Sequence, residues 1–207
     1  FIADGHHRMK SSLEMADRRR AENPHYTGEE KYNRTLAMIM SGANLRILPF
    51  HRLLKTGFDI ADEMLLRQLS TMFHIKPDDG DVLPPYSRTY GLRLKKGWFT
   101  LELKEGYKGN TPVDRLDASI LNHLVLEPIF RVTESKRSGL IRYIAGNEDL
   151  EPYEKAIDHG TCKALFTLHE VASENVFEVA DAGEIMPAKT TYILPKMRSG
   201  LTVMPLE

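Results

Sequence analysis

The chain has 207 residues, 42% of them hydrophobic and 28% charged, which is enough apolar material for one sizeable core or two small ones. Lysine and arginine total 28 against 29 acidic residues, a formal charge of -1, so overall charge gives no indication of a nucleic-acid or membrane-surface partner. The single cysteine, Cys162, excludes an internal disulfide and is typical of a reducing cytoplasm. No stretch approaches the roughly 20 apolar residues that span a bilayer. We therefore expect a cytoplasmic protein with no membrane partner.

The elements of the first 85 residues are predicted to be mixed. Apolar spacing after residue 8 predicts a helix that ends near Asn23. The apolar run 34–40 predicts a buried strand, and the alternation over 45–50 predicts a neighbouring strand. Leucines and aromatic residues over 65–73 predict a helix, and the Pro- and Gly-rich stretch 77–85 predicts a linker or a long loop.

The second half predicts a hairpin followed by helices and strands. Alternation over 90–103 predicts the hairpin. Residues 111–114 have the N-cap pattern of a helix whose apolar stripe continues to Leu124. Strands are also expected at 140–145, 164–168 and 192–194, with helices from Asn147 to Gly160 and from Ser173 to Gly183. Hairpins mixed with packed helices favour an α+β fold with mixed sheets over a doubly wound sheet.

The opening turn, Asp4–Arg8, lies between a predicted strand end and a helix start, where main-chain N–H groups are unpaired. Gly5 would let the backbone approach an anion closely, His6 and His7 offer imidazole donors, and the Arg8 guanidinium suits phosphate oxygens. Asp4 would cap the turn, bind a cation such as Mg²⁺ or orient a histidine. The same residues also fit a plain helix cap with surface histidines.

A second candidate lies near the C-terminus. Residues 181–192 combine acids, hydroxyls and Lys189, and Lys196 and Arg198 follow shortly afterwards. Three cations within ten residues, together with hydroxyls such as that of Thr190, predict recognition of phosphate or carboxylate. A solvated edge strand with protective lysines is the alternative.

Three other patterns are interpreted as structural. Adjacent histidines entering a helix point about 100° apart, so they are not expected to share a transition metal. The run Arg18–Arg20 is flanked by acidic residues and lacks interleaved aromatic residues, so it is interpreted as a solvated helix face without nucleic acid. Cys162 has no local activating partner and is expected to be an inert core thiol.

Four stretches, residues 2–8, 45–52, 180–191 and 195–201, resemble a bacterial and archaeal family catalogued as domain of unknown function one thousand and fifteen. The resemblance covers nearly the whole chain. In that family the Asp-Gly-His-His-Arg motif lies mid-chain, and this chain opens at Phe1 without an initiator methionine. The resemblance therefore implies that an upstream half of the same protein is missing and is a partner of this chain.

The opening motif also resembles the phosphate-binding turn of the ParB/sulfiredoxin-like superfamily, which includes free-serine kinases, sulfiredoxin and CTP-binding partition proteins. This resemblance implies that Gly5, His6, His7 and Arg8 contact nucleotide phosphates, with Asp4 near the cation or the transferred group. Sulfiredoxin fits worst, because no cysteine stands in the motif. The catalytic carboxylate of the kinases would lie upstream of this chain.

These resemblances predict a nucleotide-dependent phosphotransferase that uses ATP or ADP and Mg²⁺ on a small hydroxylated metabolite such as serine. Residues 1–56 would be the remnant of the phosphate-binding domain and 57–207 a C-terminal α+β domain, unless the chain is one continuous domain. A non-catalytic nucleotide- or anion-sensing module, associated with nucleic acid, is the alternative. The candidate catalytic residues are Asp4, His6 and His7. The candidate phosphate-binding residues are Gly5, His6, His7, Arg8, Lys189, Thr190 and Arg198. The candidate Mg²⁺ ligand is Asp4.

Overall fold

The computed structural model describes residues 2–80, 83–132, 137–196, 198, 200, 203 and 204. Within them, helices pack with an antiparallel sheet of seven strands, which confirms the predicted α+β class. The helices are α1 (His6–Glu22), α2 (Asp62–Leu69), α3 (Asp117–Leu121), α4 (Arg137–Leu140), α5 (Glu151–Asp158) and α6 (Ser173–Asp181). The strands are β1 (Arg46–Lys55), β2 (Phe73–Asp78), β3 (Thr89–Leu94), β4 (Gly97–Leu103), β5 (Ile141–Ala145), β6 (Cys162–Leu168) and β7 (Thr191–Leu194).

The chain divides into two compact units. The small unit comprises Phe1–Arg46 and Ile193–Glu207, and the sheet unit comprises Ile47–Tyr192. In the small unit, the chain after α1 folds back along the helix, and the Arg20 guanidinium donates to the Asn33 side chain at 2.9 Å. The domain boundary after residue 56 stays a prediction.

The strand order of the sheet is β2-β4-β3-β6-β1-β5, with β7 paired to β1. Strand β3 has a partner on each side, and all six of its residues are buried. The predicted hairpin is confirmed as β3 and β4, which pair from Thr89 with Glu102 to Leu94 with Gly97. Centrally placed strands with both faces covered are nearly all buried, as β3 is here.

Successive residues of a strand point to opposite faces of a sheet, and both faces of this sheet are packed. Leu54 and Phe166 belong to the larger core cluster, which α2 and α3 help to build. Their neighbours Leu53 and Leu165 belong to a second cluster on the opposite face, together with Ile157 of α5. The apolar side chains of β1 and β6 thus fix helices on both sides of the sheet.

Two predictions for the first half are wrong. Residues 34–40 form no strand, and Ile39 is 93% exposed. A strand needs a hydrogen-bonded neighbour, and the described part of the small unit provides none for this apolar run. The predicted helix 65–73 ends at Leu69, because Phe73 already begins β2. The predicted loop 77–85 accordingly starts later, after the last two residues of β2 have paired with β4.

The helix predicted from residue 111 also begins later than expected. Its N-cap pattern does form, since Thr111 N–H donates to the Asp114 carboxylate at 3.2 Å and Asp114 N–H to the Thr111 hydroxyl at 3.3 Å. These bonds close a turn, however, and α3 starts only at Asp117. The predicted helices after β5 and β6 are confirmed as α5 and α6, although neither Asn147 nor Ser173 is the N-cap residue.

Candidate functional site

The opening turn contains a glycine in the left-handed backbone conformation. Gly5 has φ +88° and precedes the first residue of α1. Its N–H donates to Asp4 Oδ1 at 2.8 Å, and its carbonyl accepts the first helical bond, from Met9 N–H at 2.9 Å. The N–H groups of residues 6–8 have no acceptor earlier in the helix, and no described side chain caps them. The turn therefore presents donors at the positive end of a 17-residue helix.

The Arg8 guanidinium lies against Gly5. A methyl group on Gly5 would be 3.1 Å from Arg8 Nη2, so the absence of a side chain at this position gives the guanidinium its place. Among the described residues, Arg8 makes no ion pair with a carboxylate, and its side chain is exposed. It is thus available to an external anion.

Lys196 joins the opening turn from the other end of the sequence. Its Nζ donates to Asp4 Oδ2 at 2.9 Å, with both side chains about half exposed. The Lys196 hydrogen bond is the main reason that the pKa of Asp4 lies below its ordinary value, and burial opposes this shift. Arg198 lies two residues further on in the same unit and is exposed. The sequence identified Lys196 as one of three nearby cations, but nothing in it indicated the pairing with Asp4.

We expect a Gly5→Ala variant to weaken the start of α1. An L-residue at this positive φ costs about 1–2 kcal/mol, and the new methyl group would also push the Arg8 guanidinium away. Hydrogen exchange of the Met9 amide, which closes the first helical turn on Gly5, should become roughly five- to thirtyfold faster. Gly42→Ala is the matched control, because Gly42 has open space around it and no positive φ. Equal exchange rates in both variants would contradict the described turn.

Magnesium does not fit Asp4 as the turn is arranged. One carboxylate oxygen accepts from the Gly5 N–H and the other from the Lys196 ammonium. An ammonium so close already neutralises the charge that would attract Mg²⁺. No group of three or more His, Cys, Asp or Glu side chains in the described residues could hold a metal ion.

Lys189 and Thr190 belong to the sheet unit. The Lys189 carbonyl accepts from Arg52 Nη2 at 3.1 Å, and Lys189 Nζ lies 5.0 Å from the centre of the Phe50 ring. The hydroxyl of the buried Thr190 donates to the Pro187 carbonyl at 2.7 Å. The Lys189 ammonium therefore rests on an aromatic face, while the Thr190 hydroxyl proton is already used internally. Their phosphate-binding roles stay predictions.

The other residues that the sequence singled out are His6, His7, Cys162 and the run Arg18–Arg20. His6 is exposed at the start of α1, whereas the side chain of His7 lies outside the described part of the structure. Burial raises the pKa of the half-buried Cys162 thiol, which agrees with an inert thiol. In the run Arg18–Arg20, the Arg20 guanidinium bonds to Asp17 at 3.0 Å, in keeping with a helix face. No helix among the described residues has the length and apolarity needed to cross a membrane.

The chain belongs to the family described as "Protein of unknown function (DUF1015)", whose model matches residues 1–119, more than half of the sequence. The predicted family is thereby confirmed. No curated protein matches the sequence.

Solved structures that match the chain at low similarity include free serine kinases. One, in complex with AMP, is 13% identical, with a TM-score of 0.39 over 74% of this chain and 55% of that chain. A mutant in complex with ADP is 14% identical, with a TM-score of 0.38 and the same coverage. A conserved hypothetical protein from Pyrococcus furiosus is 12% identical, with a TM-score of 0.46 over 93% of this chain and 69% of that chain. The chain thus spans about half the length of the kinases that it resembles.

Proposed function

We propose that this chain supplies the phosphate-binding turn of a nucleotide-dependent phosphotransferase that acts on a small hydroxylated metabolite such as serine. The observation that carries the proposal is the opening turn. There, the unbonded N–H groups of residues 6–8, the exposed Arg8 guanidinium and the Lys196 ammonium lie at the positive end of one helix. Such an end attracts phosphate oxygens through both its donors and its dipole.

The Asp4–Lys196 ion pair explains how a carboxylate can lie beside a site that binds anions. An unpaired Asp4 would repel phosphate, whereas a carboxylate neutralised by an ammonium 2.9 Å away does not. Asp4 also orients the Gly5 N–H. We assign Asp4 a positioning role in the turn, which replaces the predicted role as a magnesium ligand.

Catalysis by such a turn consists of positioning and charge stabilisation. Arg8 and the N–H groups of residues 6–8 would hold the transferred phosphoryl group, and His6 would add a donor. The P–O bond to the nucleotide breaks as the acceptor hydroxyl oxygen bonds to phosphorus. We place the base that takes the hydroxyl proton outside this chain, as the likeness of the turn to the ParB/sulfiredoxin-like superfamily suggests.

Nucleotide binding by the purified protein tests the proposal. AMP, ADP and ATP should bind more tightly than adenosine, because the turn recognises phosphate. We expect an Arg8→Gln variant to bind them about 10- to 100-fold more weakly, the loss expected for a charged hydrogen bond. Arg18→Gln is the matched control, since Arg18 is exposed on the same helix and should change affinity less than about twofold.

Transfer is measured separately with the full-length protein, which would also supply the base, by phosphorus NMR with ATP or ADP, MgCl₂ and a panel of hydroxylated metabolites that includes serine. A new phosphate monoester supports the phosphotransferase. Nucleotide binding without product across the panel would contradict it and favour the sensing module. No nucleotide binding, or equal losses in the two arginine variants, would overturn both.

A further inference from the structure

A polar cavity lies wholly within the sheet unit and shares no residue with the turn proposed to bind phosphate, so it is independent of the proposed phosphotransferase. It has a volume of about 200 Å³, which is room for roughly six water molecules or one small metabolite. Its lining carries two arginines, two carboxylates, an amide and a hydroxyl. These side chains are those of Arg88, Arg115, Asp117, Glu170, Asn175 and Ser87.

Asp117 is the most unusual of these residues. Its side chain is only 7% exposed, and its carboxylate accepts one hydrogen bond, from the Arg88 N–H at 2.8 Å. Among the described residues it makes no ion pair. Burying a carboxylate is costly, and burial raises the pKa of Asp117 from 3.8 to about 6, although the charges of His169 and Arg88 oppose this rise. A positively charged ligand group would offset that cost.

The two arginines provide the opposite charge. Among the described residues, the Arg88 guanidinium has no carboxylate partner. The nearest carboxylate to Arg115 is that of Glu178, at 3.8 Å, and both of these side chains are about half exposed. Such an exposed ion pair contributes little free energy. The guanidinium groups of Arg88 and Arg115 therefore remain donors suited to the carboxylate of a ligand.

The backbone of Arg88 is held in an uncommon conformation for its contact with Asp117. Its φ is +66°, a region that non-glycine residues occupy only when their surroundings impose it. In this conformation the Arg88 N–H reaches Asp117 Oδ1, and the Tyr90 hydroxyl donates to the Asp117 carbonyl at 3.1 Å. The carboxylate is therefore fixed in place at the cavity.

We propose that this cavity binds a small zwitterion, an aminocarboxylic acid whose ammonium meets Asp117 and Glu170 and whose carboxylate meets Arg88 and Arg115. The lining has two positive and two negative side chains, so a ligand with both charges matches it better than an ion of one sign. The volume of about 200 Å³ has room for a small molecule of this kind.

Calorimetric titration of the purified protein at pH 7.5 with four probes tests this site. Glycine and 4-aminobutanoate are zwitterions, whereas butylamine and butyrate carry only one of the two charges. We expect at least one zwitterion to bind ten times more tightly than either singly charged probe. Equal affinities for all probes, or no binding up to 50 mM, would overturn the proposal.

Asp117→Asn locates the site, because an amide keeps the acceptor for the Arg88 N–H and removes the charge. Zwitterion affinity should fall at least tenfold and butyrate affinity should not fall. Asp181→Asn is the control, since Asp181 is an exposed acid at the end of α6 and should leave affinity within twofold. Unchanged zwitterion binding in Asp117→Asn would overturn the site. Nucleotide binding by the same variant should be normal, so this result and that of the Arg8 test are separable.

Discussion

The stability of an Asp117→Asn variant, relative to the wild type, is expected to rise by about 2 kcal/mol between pH 4 and pH 7. Burial is the main cause that raises the pKa of Asp117 from 3.8 to about 6. The Arg88 N–H and the charges of His169 and Arg88 oppose the shift. A shift of about two units corresponds to about 3 kcal/mol over the whole titration, and about 2 kcal/mol of this falls between pH 4 and pH 7. Solvent screening reduces it little, because Asp117 is only 7% exposed.

The direction follows from proton binding. Between about pH 4 and pH 6, the folded wild type keeps a proton on Asp117 that the unfolded chain has lost. The stability contributed by this proton is present in full below about pH 4 and is lost as the pH rises through about 6. Asparagine cannot titrate, so the variant does not suffer this loss.

Urea unfolding of both proteins at pH 4, 5, 6 and 7 measures the difference. The other titrating groups are common to both proteins and largely cancel when the two curves are subtracted. Asp181→Asn should follow the wild-type profile, because Asp181 is exposed. A difference between wild type and Asp117→Asn that stays constant from pH 4 to pH 7 would show that Asp117 is solvated in the folded protein.

Much of the sheet was predictable because its strands carry local signals. The alternation on either side of Gly97 specifies β3 and β4, and glycines follow α5 and α6 in the left-handed conformation at Gly160 and Gly183. Residues 34–40 misled the prediction, since an apolar run specifies a strand only when another strand is available to pair with it. Residues 111–114 misled it differently, because their reciprocal capping bonds close an isolated turn as well as a helix.

The candidate site was predictable only in part. The motif Asp4–Arg8 gave the helix start and the glycine turn, because both depend on neighbouring residues. The Asp4–Lys196 pair joins residues 192 positions apart, and no local pattern encodes such a separation. Asp117 is equally hidden, since a carboxylate on a predicted amphipathic helix is normally solvated. Its burial follows from the late start of α3 and from the covering of the sheet.

A Phe166→Ala variant is expected to lose about 3–5 kcal/mol of stability. Phe166 is fully buried on β6, which lies between β3 and β1 in the sheet. Its ring meets that of Phe130 edge to face, with centroids 6.3 Å apart. Removing it opens a cavity among strands that are hydrogen-bonded on both sides and have little freedom to collapse into it.

Phe177→Ala is the matched control, because it deletes the same side chain from a position in α6 that is 40% exposed. We expect it to cost about 1 kcal/mol, as partial burial implies. Phe166→Leu should lie between the two, since leucine refills most of the space. Denaturant unfolding at one pH gives the three values, and the order matters more than the sizes. If Phe166→Ala were no more damaging than Phe177→Ala, β6 could not be a central strand of a packed sheet. The cavity beside Asp117 would then lose its support, since its wall includes Glu170, two residues beyond the end of β6 at Leu168.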